Sequence, residues 1–104
     1  MTTEKGINKV EKFDVKEVKI NVADILSIKD LKPNEKIVLA LIDMYKGKHD
    51  GCIISNSEIM RICGHKALSQ TSSFIENMEK KGYIARINIG EEGGHIIRKL
   101  VRLK

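Results

Sequence analysis

Ser55-Asn56-Ser57-Glu58 narrows the folds open to this chain more than any other stretch. A serine hydroxyl can accept the amide three residues ahead, and a glutamate there can reach back to the cap amide. The tetrad therefore spells a helix start. Ile59, Ile62 and Cys63 follow as the inner face, and Gly64 stops the helix after about two turns. A tight turn of His65, Lys66 and Ala67 leads to a longer helix over 68–81. Its inner stripe is Leu68, Thr71, Phe74 or Ile75, and Met78, and Gly82 is its stop. Two β-rich stretches come next, Tyr83–Ile89 and His95–Leu103, joined by Gly90-Glu91-Glu92-Gly93-Gly94. The glycines of that loop permit the positive φ of a hairpin turn. Short helix, turn, longer helix and hairpin, in that order, predict a helix-turn-helix followed by a wing.

Upstream, Pro33 opens the clearest helix, since its missing N–H would be unsatisfied at a first helical position anyway. Glu35 sits in the first turn, favourable to the dipole, and Gly47 marks the end. Ile37, Val38, Leu41, Ile42 and Tyr45 lie between at helical spacing. Cys52–Ile54 reads as a strand of two or three residues. Residues 13–22 alternate in two phases, Phe13 and Val15 on one parity and Val18, Ile20 and Val22 on the other. That predicts an extra N-terminal strand with a bulge or bend near Lys16–Glu17, which either covers the core or pairs with its counterpart in a second subunit. Residues 1–12 are polar and mixed in charge and read as a flexible arm, leaving 13–104 as a single domain. The expected class is α/β (α+β): three helices, a C-terminal two-stranded β-wing and the extra N-terminal strand. The expected core includes Ile37, Leu41, Ile42, Ile59, Ile62, Phe74 or Ile75, Met78, Ile84 and Leu100.

With 104 residues, 41% apolar and 32% charged, the chain has the composition of one soluble globular domain. No apolar run nears the ~20 residues of a membrane helix, and no signal peptide opens the chain. A cytoplasmic protein with no membrane partner is expected. Two cysteines without a CxxC fit a reducing compartment. Cys52, Cys63, His49 and His65 lack the spacing of a zinc finger or ribbon, so small core residues are the better reading of the thiols. No Cys–His pair has an identifiable orienting partner, and the glycine loop lacks the Lys-Ser/Thr and following helix of a P-loop. No catalytic site, metal or cofactor is expected.

The net charge is +5, and residues 83–104 carry +3 of it. A basic patch on a near-neutral body points to a polyanion. Arg86, Arg98 and Arg102 share one strand parity, so they can project from one sheet face. Lys99 and His95 add to the same hairpin. The exposed positions of the third helix read Ser69, Gln70, Ser72, Ser73, Glu76 and Asn77, with Lys66 the basic residue near its start. Glutamine and asparagine can pair with adenine, and serine takes several roles at base edges. Phosphate affinity, however, needs cations. The hairpin is therefore expected to contribute most of a DNA contact, its arginines suited to a narrow A·T-rich minor groove. Lys66, Gln70, Ser72 and Ser73 would add contacts from the helix. A solvated basic hairpin and an ordinary polar helix surface are the plainer readings of the same residues. Lys5, Lys9 and Lys12 read as a solvated tail, with a minor-groove arm as the alternative.

Three stretches carry a family resemblance. LKPNEKIVLALIDMY resembles the first helix of plasmid replication initiator and primosome-type winged helices. SNSEIMRICG followed by LSQTSSFIENMEKKGYIAR resembles the helix-turn-helix core of bacterial winged-helix regulators. The resemblance covers about residues 31–104. It implies binding of double-stranded DNA, commonly as a homodimer. The small size is similar to that of winged-helix relaxosome accessory proteins, which act at a plasmid origin of transfer in conjugation beside other transfer proteins. The chain departs from the family in having Lys32, not Ser or Thr, at the first cap. It also departs in having no arginine on the exposed third helix. A transcription regulator or plasmid replication factor with the same fold is the alternative, as is a winged helix used for protein–protein assembly.

Overall fold

Pro33 starts a helix that packs against the π-helical turn, the next helix and the last strand. The computed structural model describes residues 15–104. In it, α1 spans Pro33–Tyr45. Its start is tied by the Lys32 backbone N–H, which donates to Glu35 Oε1 at 2.8 Å. Val38, Leu39, Ala40, Leu41 and Ile42 are all buried, so α1 has no solvent face through its middle. Helical spacing pointed to one buried stripe; the helix is instead covered from several sides, by a π-helical turn, by a second helix and by the last strand. Each buried Leu or Ile contributes about 1.5–3 kcal/mol. Ile37 and Tyr45 sit half-buried at its margin.

The expected N-terminal strand is not formed among the described residues. Residues 15–21 carry no ladder, and Val22–Leu26 make a single π-helical turn that buries Ile25. Asn21 fixes this turn: its side chain accepts from the Asp24 N–H at 2.8 Å, and its carbonyl accepts from Ile25 and Leu26. The two-phase pattern has a physical explanation. No single face of 15–22 is buried; Val15, Val18 and Ile20 settle one by one against the core. Phe13, the arm expected over 1–12 and its lysines lie outside the described residues.

Helix α2 spans Asn56–Cys63 and begins as the tetrad predicts, with Ser55 Oγ accepting from the Glu58 N–H at 3.2 Å. The Glu58 carboxylate takes the Arg61 guanidinium at 2.7 Å, so the return half of the capping box goes to an ion pair. Gly64 ends the helix at φ +75, a left-handed conformation that glycine adopts without strain. Helix α3 spans Leu68–Lys80 and buries Thr71, Ile75 and Met78. Ile75 is thus the core residue of the Phe74/Ile75 alternative. Phe74 packs edge-on against His65, ring centroids 4.8 Å apart. Leu68, expected inside, is 49% exposed: it is the first residue of the helix, next to the exposed Lys66 and Ala67 of the turn.

The chain ends in an antiparallel hairpin, β1 (Ile84–Glu92) and β2 (His95–Arg102). β1 runs on to Glu92, beyond the expected Ile89, while β2 stops at Arg102, one residue short of the expected Leu103; the turn is Gly93-Gly94 alone, both at positive φ. Ile89 is an extra residue, because Asn88 pairs with Arg98 and Gly90 with Ile97. The Cys52–Ile54 run makes one bridge to the hairpin: the Leu100 N–H donates to the Cys52 carbonyl at 2.9 Å. Among the described residues the architecture is mixed α/β, three α-helices and a π-helical turn around a C-terminal two-stranded sheet.

Candidate nucleic-acid interface

Ladder pairing sets Ile84 opposite Arg102, Arg86 opposite Leu100, and Asn88 opposite Arg98. Directly opposed residues in an antiparallel pair share a face. The three arginines therefore do lie on one face, as their parity allows. Ile84 and Leu100 on that face are fully buried, so it is the inner face, turned toward the helices. Guanidinium groups placed there need partners, and the three find different ones.

Arg102 is held by two carboxylates. Its Nη1 lies 2.8 Å from Asp24 Oδ2 and 2.7 Å from Asp43 Oδ2, and its Nη2 lies 2.7 Å from Asp24 Oδ1. Its side chain is 16% exposed. The Arg102 hydrogen bond holds the Asp24 carboxyl below its ordinary range, and the same bond raises the guanidinium pKa. Arg102 thus braces β2 against the π-helical turn and α1. Arg86 pairs with α3: its Nε and Nη2 lie 3.0 and 2.6 Å from Glu79 Oε1.

Arg98 is different. It is half-buried, and its Nη2 donates to the neutral Asn56 Oδ1 at 2.8 Å. Among the described residues, no carboxylate lies within ion-pair distance of Arg98. Burial lowers its pKa, and the nearby Arg86 charge acts in the same direction. Asn56 in turn donates from Nδ2 to Ser72 Oγ at 3.4 Å. A polar chain thus runs from the hairpin through the first residue of α2 to the exposed side of α3. Asn56 is not among the contact residues the sequence points to. Its one signal was an amide side chain at a helix position that needs none.

The expected helix residues lie where the periodicity puts them. Ser69, Gln70, Ser72, Ser73, Glu76 and Asn77 are exposed on α3. Gln70 Oε1 accepts from the Lys66 N–H at 3.0 Å, tying the turn to the helix start. His95 stands exposed beside the hairpin turn. Arg86, Arg98 and His95 come together at a groove with Ser55 and Asn56. Lys99 and Arg102 do not join them. They line a separate depression with Lys46, Lys48 and His49. Lys99 lies opposite Ile87 on the outer face, its stem passing over Gly51.

Cys52 faces the core, and burial raises its thiol pKa. Burial pushes the Cys63 thiol up to about 11. Among the described residues, no group of three His, Cys, Asp or Glu side chains converges as metal ligands would. Nor is any described helix long and apolar enough to cross a membrane. Comparison with protein-family models, with curated proteins and with solved structures finds no match for this chain.

Proposed function

We propose that this chain is a winged helix-turn-helix domain that binds double-stranded DNA, with α3 as the base-reading helix and the hairpin as its wing. The Arg98–Asn56–Ser72 chain carries the reading. It makes one continuous polar surface from two elements that would otherwise be separate. On that surface Gln70, Ser72, Ser73 and Asn77 offer uncharged donors and acceptors, the chemistry that base edges require. Arg86, Arg98 and Lys66 supply the positive side, with His95 beside the two arginines. Arg102, committed to two aspartates, belongs to the fold in this reading. The family resemblance favours an accessory role at a plasmid origin of transfer; a transcription or replication site would use the same surface.

Of the cations on this surface, Arg86 is already paired with Glu79, so a homodimer, which doubles the phosphate footprint on a two-fold site, is the unit we propose on DNA. A mobility shift on the gene's own upstream DNA, against a shuffled competitor, tests the reading. Preferential retention of the native duplex supports it. Equal weak binding to both, or none, contradicts it. That result would favour assembly through the hairpin, where Ile87, Ile89 and Ile96 are 42%, 39% and 65% exposed.

A further inference from the structure

The groove between the start of α2 and the hairpin encloses about 280 Å³ and is lined by Ile53, Ser55, Asn56, Arg86, His95 and Arg98, with Ile96 and Ile97 beside them. Two guanidinium groups border this small space, and one of them, Arg98, is half-buried with a neutral amide as its partner. Like charges brought together in a partly apolar groove repel, and the isoleucine walls weaken the screening. Such an arrangement is stabilised by an anion. The planar guanidinium fork matches the oxygens of phosphate in particular.

We propose that this groove holds one phosphate group, bound by Arg98 together with Arg86 after Arg86 exchanges Glu79 for the ligand. The exchange costs little, because the Arg86–Glu79 pair is 44% and 34% exposed and an ion pair that exposed is weak. Arg98 needs no rearrangement. Asn56 already fixes one of its nitrogens, and Arg98 lines the groove. Glu79 thus acts as an internal competitor that occupies Arg86 until a phosphate arrives.

This assignment rests on the DNA-binding reading for the source of the phosphate, a backbone phosphate of the duplex; the chemistry is the same for the free ion. The arginine Nε–Hε resonances of the labelled full chain, titrated with inorganic phosphate, read the groove directly. The Arg98 and Arg86 signals should shift and saturate while Arg102 stays in place. Glu79→Gln should tighten the response several-fold, and Arg98→Gln should remove it. On duplex DNA, Arg98→Gln should weaken binding about tenfold on native and shuffled sequences alike, and lower the salt slope by about one.

Saturating shifts with no duplex binding would sink the DNA reading and leave the groove. Duplex binding with an unchanged slope in Arg98→Gln, and a uniform unsaturated drift of all arginine signals, would sink the groove and leave the reading. The Glu79→Gln variant, which removes one exposed partner only, keeps the test decisive if Arg98→Gln folds poorly.

Discussion

Lys81 reaches across to Glu35, its Nζ 3.1 Å from Oε1 and 3.3 Å from Oε2, and so joins the end of α3 to the start of α1. The Glu35 carboxylate is 5% exposed, and the same ammonium also donates to the Asp30 carbonyl at 3.3 Å. Together with the Lys32 amide, these bonds satisfy a buried carboxylate from two directions. Removing the cation leaves that charge buried and unpaired. Lys81→Met should destabilise the protein by about 2–3 kcal/mol, somewhat less than a fully buried pair loses, because Lys81 keeps partial solvent contact. Urea unfolding measures this. The double variant with Glu35→Gln should recover part of the loss, and an additive result would contradict the coupling.

The Arg102 brace makes a prediction in acid. The Asp24 pKa is depressed in the folded protein from its ordinary 3.8, chiefly by the Arg102 hydrogen bond. A depressed carboxylate adds stability above its unfolded pKa and loses it as pH falls through the folded one. The contribution of this pair should therefore begin to fall near pH 3.8 and be gone only below the depressed folded value. Carboxyl NMR titration should place Asp24 under that value in the parent and return it toward 3.8 in Arg102→Met.

The thiols predict the opposite limb. With Cys63 raised from 9.0 to about 11, the folded state keeps a proton that the unfolded chain has lost between those values. Stability should fall as pH rises from 9.0 toward 11, and Cys63→Ser should flatten that fall. In the folded protein at neutral pH, both cysteines should react with a disulfide reagent more slowly than a free thiol, because burial holds each in its protonated form. Unfolding should restore ordinary reactivity.

Gly51 is required by a neighbour and by its own backbone. Its φ is +72, and an added Cβ would stand 2.5 Å from Lys99 Cδ. Gly51→Ala should cost at least about 1–2 kcal/mol from the left-handed conformation alone. It should also displace the Lys99 stem from the outer face. Thermal melting and the Lys99 side-chain resonances check the two halves separately.

Helix limits were legible in the sequence because Pro33, Ser55, Gly64 and Gly82 act through local stereochemistry. The hairpin and its shared arginine face were legible for the same reason: parity is local. Parity does not say which face looks inward. That depends on Ile84 and Leu100 meeting helices elsewhere in the chain. The partners of Arg102 lie 78 and 59 positions away, and nothing local announces them. The N-terminal alternation misled because an apolar pattern with two phases can cover a core without pairing. Asn56 shows the same limit: as part of a cap it was visible, but as the link between Arg98 and Ser72 it exists only in three dimensions.

The central claim is that α3 and the Arg98 end of the hairpin form one DNA-binding surface. Fluorescence anisotropy of a labelled native duplex, across a salt series, tests it most directly. The parent should bind the native duplex more tightly than a shuffled one. Ser72→Ala and Gln70→Ala should reduce that preference, each by up to about 1–3 kcal/mol where it removes a base contact. Arg98→Gln should instead weaken both duplexes and lower the salt slope, while Arg102→Met, if folded, should leave the slope unchanged. A parent that does not distinguish the two duplexes, or variants of α3 that bind like the parent, would contradict the account.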